Sequence, residues 1–549
     1  MAVATETARA TGRREGESTL TGTGALVRFM LRRDRVRIPV WLLAIGMTTA
    51  VTASNLASTY TTAEGRRSRA SLVDSPAGAA FSGPGHGLDD YTYGAMLANE
   101  ILGFVAIFAA LMSVLLVVRH TRAEEEAGRA ELVRAGVVGR HAPLAAAVLV
   151  VGGANVVLGA LVTLLLGGSG IESVTWPGSL LFGAALAAVG LVFTAVAAVT
   201  AQVTEYGRGA SGLAGALIAA AYTLRAVGDM GGGPLAWLSP IGWAQATQVY
   251  VDDRWWPLAL ALVLTGGLLA AAFGLTTRRD VGAGLLPPRP GPRTAAPSLG
   301  TPLGLALRLQ RTSLLWWSAS MAALGAVYGA FVGDVREAIG DNEALREWVA
   351  TIPGASLTDQ FIGVIVSMLA AVCAVQAILA TQRPRVEETA GRAEPVLATA
   401  VSRTRWLAGH VTVALAGGSL MLLLTGLGAG AAGAVSVGDA GLLPRTVGAA
   451  LAYAPAVWIT VGVALALFGL APRALPAAWA IVVYAVFVTT FGGLLRLPQW
   501  MDALSPFGHV PMLPGEEMRW APLLILTAVA AGLVAVGFVA FRRRDLDMR

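Results

Sequence analysis

The sequence predicts an all-α polytopic membrane protein of twelve transmembrane helices, arranged as two fused six-helix repeats. Scarcity of charge, the length of the apolar runs, and polar markers that recur at one offset predict it. Of 549 residues, 55% are hydrophobic and only 13% charged, and the mean hydropathy is +0.65. Soluble domains carry about 25% charged residues, so this chain cannot cover a water-facing surface. Many apolar runs are about 20 residues long, which at about 1.5 Å rise per residue crosses a hydrocarbon core of about 30 Å. They are rich in Leu, Ala, Val and Gly and lack the alternation of a membrane barrel, so helices are expected.

In chain order, residues 1–24 form a polar, flexible N-terminus without the short apolar core and cleavage site of a removable signal peptide. The first apolar run therefore stays as an anchor. Spans are expected at 39–59, 97–118, 143–167, 178–203, 209–228 and 256–276, then at 314–333, 359–381, 405–434, 444–470, 475–494 and 521–541. Gly and Pro interrupt the fifth and the eleventh. All 40 basic residues are arginine. With the N-terminus inside, thirty fall in inner segments and ten outside (Arg66, Arg67, Arg69, Arg225, Arg254, Arg336, Arg346, Arg445, Arg496, Arg519). The positive-inside rule favours that orientation, with both termini in the cytoplasm. No basic, aromatic-studded soluble face is visible, which argues against nucleic acid as a partner.

Residues 278–302, dense in Pro and Gly, read as a cytoplasmic linker between a first half, 25–277, and a second, 303–549. EEEAGRAE (124–131) and EETAGRAE (387–394) share seven of eight residues at a spacing of 263. LSPIG at Leu238 and LSPFG at Leu504 are 266 apart; RRD at Arg278 and Arg543, and the lone Arg208 and Arg473, are 265 apart. Six spans return the chain to its starting side, so the halves are parallel repeats. Each half opens with a basic amphipathic stretch, at 26–41 and 303–317, suited to a helix in the inner headgroup region or to a simple topological anchor.

Both octapeptides fall between the second and third spans of their half. On a continuous helix, Glu125 and Arg129, and likewise Glu388 and Arg392, are four residues apart in the favourable order. Such a pair contributes only about 0.2–0.5 kcal/mol, weak support for a purely structural role. A solvated helical loop would explain one copy; two matched copies point to a symmetric partner. Gly128 and Gly391 would let another backbone approach, and the surrounding charges would set its orientation.

Twelve spans in two halves, the EExAGRAE loop after each second span, the basic amphipathic openings and LSPxG before each last span resemble the membrane subunit of ATP-binding-cassette exporters. The nearest likeness is to a bacterial permease family of polyketide-antibiotic exporters. The resemblance covers the chain after residue 24, and EExAGRAE is its most specific motif. It implies the type V exporter architecture, a bacterial plasma-membrane location, and a coupling helix seated on an ATPase subunit. By that resemblance Glu124, Glu125, Gly128, Arg129 and Glu131 contact one protomer of a homodimeric ATPase, and Glu387, Glu388, Gly391, Arg392 and Glu394 the other. Departures at Glu126/Thr389 and Leu132/Pro395 imply unequal coupling. ATP and Mg belong on that partner, because a phosphate loop G-x-x-x-x-G-K-[ST] needs a lysine and this chain has none. Nor does any soluble stretch reach the on-the-order-of 100–200 residues of a nucleotide-binding domain. The chain is thus expected to be no enzyme and to hold no cofactor.

The segments 231–256 and 497–520 are apolar, Trp-bearing and broken by Pro. They suit either short re-entrant helices, with Leu238, Ser239, Pro240, Leu504, Ser505 and Pro506 as an outer gate, or interfacial aromatic anchors joined by turns. Phe104, Phe108 and Met112, at i, i+4 and i+8, are candidates for the path of a bulky hydrophobic substrate, or else packing. Tyr222, Phe361, Met368, Phe487 and Phe491 are weaker candidates. The lone Cys373 sits in an apolar run and can form no intrachain disulfide. The five histidines show no metal spacing. The expected function is ATP-driven export of hydrophobic drugs or antibiotics by alternating access. Its rival is a proton-coupled secondary transporter of twelve spans, which needs ionisable groups deep in the membrane. The span centres are nearly free of them, Glu100 and Glu205 being the nearest exceptions.

Overall fold

The computed structural model describes residues 19–231, 233–280, 282–286, 291–341, 356–491 and 499–546, and every regular element among them is helical. The 1–18 part of the N-terminal segment lies outside the described residues. The chain forms two compact units, Met1–Pro290 and Gly291–Arg549. Eleven helices among the described residues are long and apolar enough to cross a bilayer, so this is a multi-pass membrane protein.

Unit 1 begins with α1 (Thr23–Arg33) and α2 (Arg37–Thr59). They are separate because the chain turns at Asp34, whose buried carboxylate is held by Arg119 at 3.2 Å and His120 at 2.9 Å. Two short helices, α3 (Ala63–Asp74) and α4 (Pro76–Ser82), precede α5 (Tyr93–His120). After α6 (Arg122–Glu126) and α7 (Arg129–Arg134) come α8 (Ala142–Gly167), α9 (Trp176–Val203) and α10 (Gly207–Gly231). The unit ends with α11 (Pro240–Gln245) and α12 (Pro257–Thr276).

Within unit 1, helices α5 and α9 are the most enclosed. Lipid tails offer no hydrophobic reason for helices to associate, so close contact between small residues does this instead. A Cβ on Gly159 of α8 would lie 2.5 Å from the Gly183 carbonyl of α9. Asn155 ties three helices together, its amide donating to Ser113 Oγ at 2.9 Å and Thr194 Oγ1 at 3.4 Å.

Unit 2 differs at its start: α13 (Pro302–Asp341) runs unbroken from the amphipathic stretch into the span. A separate interfacial helix is therefore absent here. There follow α14 (Leu357–Thr389), α15 (Ala393–Leu397) and α16 (Arg403–Val437). Next come α17 (Leu442–Ala452) and α18 (Ala454–Leu470), divided at Tyr453 ahead of Pro455. In α16, a Cβ on Gly428 would lie 2.1 Å from the Ala322 carbonyl of α13, the same small-residue packing.

The expected eleventh span, 475–494, is a 3-10 turn over Pro472–Ala478 leading into α19 (Trp479–Phe491). Pro472 and Pro476 leave that start in a 3-10 turn and not in an α-helix. Residues 492–494 of the expected span lie outside the described residues. The unit closes with α20 (Gln499–Leu504) and α21 (Trp520–Arg543).

Candidate functional site

The two octapeptides fold in the same way, and glycine decides how. Helix α6 ends at Glu126 and α14 at Thr389; two residues on, Gly128 and Gly391 take left-handed φ values of +72° and +69°. An L side chain pays about 1–2 kcal/mol there, so glycine is the natural terminator. The N–H of Gly391 donates to Glu388 O and that of Arg392 to Glu387 O, both at 3.0 Å, which is the Schellman ending of a helix. Gly128 N–H makes the matching bond to Glu125 O at 3.0 Å.

This ending overturns the expected Glu125–Arg129 and Glu388–Arg392 pairs. The helix stops before a fourth residue can stack on the first, and the reversed chain swings each arginine one position further back. Arg129 binds Glu124 through two bonds of 2.8 and 3.0 Å, and Arg392 binds Glu387 through two of 2.8 and 3.2 Å. These bonds hold the exposed Arg129 and Arg392 guanidiniums above their usual range. Glu124 also meets Arg33 of α1 at 2.5 Å, and Glu387 meets Arg383 at 2.8 Å.

The freed glutamates turn inward. Glu125 takes a two-pronged grip from Arg279, at 2.7 and 2.9 Å, and a further contact from Arg122 at 2.5 Å. Glu388 takes the same grip from Arg544, at 2.7 Å on both oxygens, with Arg385 at 3.5 Å. Arg279 and Arg544 are the second arginines of the two RRD motifs, so in each unit the octapeptide and RRD form one site. Arg279, placed by the sequence in the linker, thus belongs to the site. Further along the expected linker, Leu285 and Leu286 pair with the end of α9, Leu286 N–H donating to Val203 O at 3.0 Å.

Each octapeptide therefore has two faces. Glu125 and Glu388 are anchors, 11% and 1% exposed at their side chains, and not surface contacts. Gly128, Arg129 and Glu131 face outward in unit 1, as do Arg392 and Glu394 in unit 2, with Gly391 half-exposed. A Cβ on either glycine would meet nothing within 4 Å, so open space lies over both turns. Leu132 stands 77% exposed beside the first turn. Pro395 holds the matching exposed position in the second.

The other candidates are placed differently. Phe104, Phe108 and Met112 do not share one environment: they are half-buried, exposed and fully buried respectively. The three lie within about 80° of one another on a helix of 3.6 residues per turn, so the difference comes from what packs over each and not from their spacing. Phe104 instead meets Phe81 of α4 at 4.8 Å and Tyr222 of α10 at 6.5 Å. Phe361 and Met368 are half-buried within unit 2, Phe487 is exposed, and the Phe491 side chain lies outside the described residues. Ser239 and Ser505 are buried caps: the Ser239 hydroxyl accepts from the Ile241 and Gly242 N–H groups and that of Ser505 from the Phe507 N–H, with Pro240 and Pro506 opening the following turn. Leu238 and Leu504 are exposed, 65% and 64%.

Two features escaped the sequence reading. Arg225, in the last turns of α10, is fully buried, stacked 4.4 Å from the Tyr222 ring, donating to Ala80 O at 2.9 Å and facing Asp229 at 3.5 Å. Glu100 is taken by Arg69, at 2.6 Å, and by the Tyr91 hydroxyl at 3.2 Å. The i, i+4 spacing of Arg225 and Asp229 was the available signal for the first. Cys373 is buried, its thiol 3.8 Å from Thr425 Oγ1.

The family model described as "Multidrug efflux system permease Rv1217c, C-terminal domain" matches two stretches, residues 25–276 and 299–542. The chain is 42% identical over 543 residues to "Multidrug efflux system permease protein Rv1217c" of Mycobacterium tuberculosis, covering 96% of each chain.

Proposed function

The chain belongs to the multidrug efflux permease family, and from that premise we propose that it is the transmembrane subunit of an ATP-driven exporter of bulky hydrophobic compounds, antibiotics among them. In this reading it has twelve spans in the type V arrangement, the expected 475–494 counting as the eleventh. It sits in the bacterial plasma membrane with both termini in the cytoplasm. A homodimeric ATPase, holding ATP and Mg, seats one protomer on each octapeptide. Nucleotide binding moves both loops, and the two six-span halves rock to expose a central path.

One observation carries the proposal: two loops 263 positions apart keep the same inward anchor and the same outward turn. A loop that needed only to be stable would have no reason to preserve the exposed residues as well. The anchor makes each loop a rigid handle, since the RRD arginines fasten it to the end of the last span of its own half.

The test is purification from the native membrane. An ATP-binding-cassette ATPase is expected to co-purify, and Glu131→Arg with Glu394→Arg, both on the outward faces, to release it without unfolding the permease. A permease that purifies alone and whose export follows the proton gradient would transfer the function to the secondary-transporter reading. The buried Arg225–Asp229 pair would then be the group to examine, because ionisable residues inside a span are the means of proton coupling.

A further inference from the structure

Behind the first octapeptide, unit 1 has a cleft bounded by α1, α6, α7 and the adjoining ends of α8, α9 and α12. Its apolar wall includes Phe29, Met30 and Leu144, and Arg140 and Arg279 border it. Unit 2 is built on the same frame at this place. Arg140 donates to Arg279 O at 3.4 Å, and Arg403, 263 positions on, donates to Arg544 O at 2.9 Å.

What fills the frame differs. Pro143 and Thr276 line the cleft in unit 1; their counterparts, 263 and 265 positions on, are Trp406 and Phe541. Those two rings are buried and stacked with centroids 5.9 Å apart, and Phe541 stacks on Phe468 at 5.4 Å. The Arg544 guanidinium lies over both phenylalanines, 4.7 and 5.0 Å from their centroids. Unit 2 thus closes the space with its own flat rings under an arginine, and unit 1 presents the same arginine over an open cleft.

We propose that this cleft binds a flat aromatic anion, its ring in the place that Trp406 and Phe541 occupy in unit 2 and its acidic group at Arg140. Stacked rings are what the frame accommodates, and a guanidinium favours an aromatic face. Charge points the same way. Glu124 and Glu125 are already met by Arg33, Arg129, Arg122 and Arg279, whereas Arg140 donates only to backbone carbonyls among the described residues. The cleft is therefore left net positive. The inference stands on the comparison of the two units and does not depend on the ATPase reading.

The test uses the full chain in nanodiscs of zwitterionic lipid, with 1-pyrenesulfonate as the probe, fluorescence anisotropy as the readout and empty nanodiscs as the reference. Saturable binding at one site per chain is expected. Thr276→Phe, alone or with Pro143→Trp, is expected to weaken it by about tenfold or more by filling the cleft as unit 2 does. Arg140→Gln is expected to weaken pyrenesulfonate similarly while leaving neutral 1-pyrenemethanol unchanged. If the double variant does not fold, Thr276→Phe and Arg140→Gln decide. Absence of saturable binding, or undiminished binding to a well-folded Thr276→Phe chain, would overturn the proposal. Dodecyl sulfate bound as tightly as pyrenesulfonate and lost in the same variants would also overturn it, by making the occupant a lipid-like anion.

Discussion

Arg279 and Glu125 lie 154 positions apart in the chain and meet through two hydrogen bonds of 2.7 and 2.9 Å. Arg544 and Glu388 repeat the contact in unit 2. A paired fork on a carboxylate fixes orientation as well as distance, so each loop is set in one attitude relative to the last span of its half.

Glu388 is the more enclosed carboxylate, and Glu388→Gln would leave Arg544 charged without its partner. The expected loss is about 3–5 kcal/mol, and less for Glu125→Gln, whose carboxylate is closer to water. A double-mutant cycle with Arg544→Gln, read by unfolding in detergent, is expected to return a coupling of about 0.5–3 kcal/mol. A coupling indistinguishable from zero would show that the contact does not hold the loop.

The two turn glycines make a second prediction. Nothing surrounds their missing Cβ, so alanine there should cost only the backbone term, about 1–2 kcal/mol, and asparagine less. Gly153 of α8, helical and equally unobstructed, is the control, and Gly153→Ala should be neutral or slightly stabilising. Equal losses at all three positions would contradict the assignment of Gly128 and Gly391 to left-handed turns.

At the other end of unit 1, His86 N–H donates to Asn99 Oδ1 at 3.1 Å, and Asn99 Nδ2 donates to His86 O at 2.8 Å. Burial, with the nearby Arg254 adding to it and Asp252 opposing, pushes the His86 imidazole below its usual range. The folded loop thus prefers neutral His86. Its stability should be constant above the unfolded value of about 6.5 and decline as pH falls below it toward the lowered folded value. Protection factors over residues 83–92, that is exchange rates corrected for the intrinsic pH dependence of amide exchange, should fall between pH 7.5 and 5.5, and His86→Gln should remove that fall.

Much of this was legible in the sequence, for identifiable reasons. Helical spans are written in composition and run length, and the repeat in markers such as EExAGRAE and RRD. The Arg279–Glu125 contact was not legible, although both motifs were, because nothing local links positions 154 apart. The expected Glu125–Arg129 pair failed because helical spacing was carried through Gly128, the residue that ends the helix. The different environments of Phe104, Phe108 and Met112 were not legible, because they are set by what packs over each residue and not by its spacing.

The central claim, that both octapeptides seat one ATPase, is tested most directly by cross-linking in native membranes. Cys373 is the chain's single cysteine and is buried, so Leu132→Cys or Pro395→Cys introduces one accessible thiol on an outward turn. Each variant, treated with a short thiol-to-amine cross-linker, is predicted to join the same ATP-binding-cassette ATPase, with the two variants reaching matching peptides of its two protomers. Cross-linking of neither thiol to an ATPase, in membranes where export persists, would contradict the account.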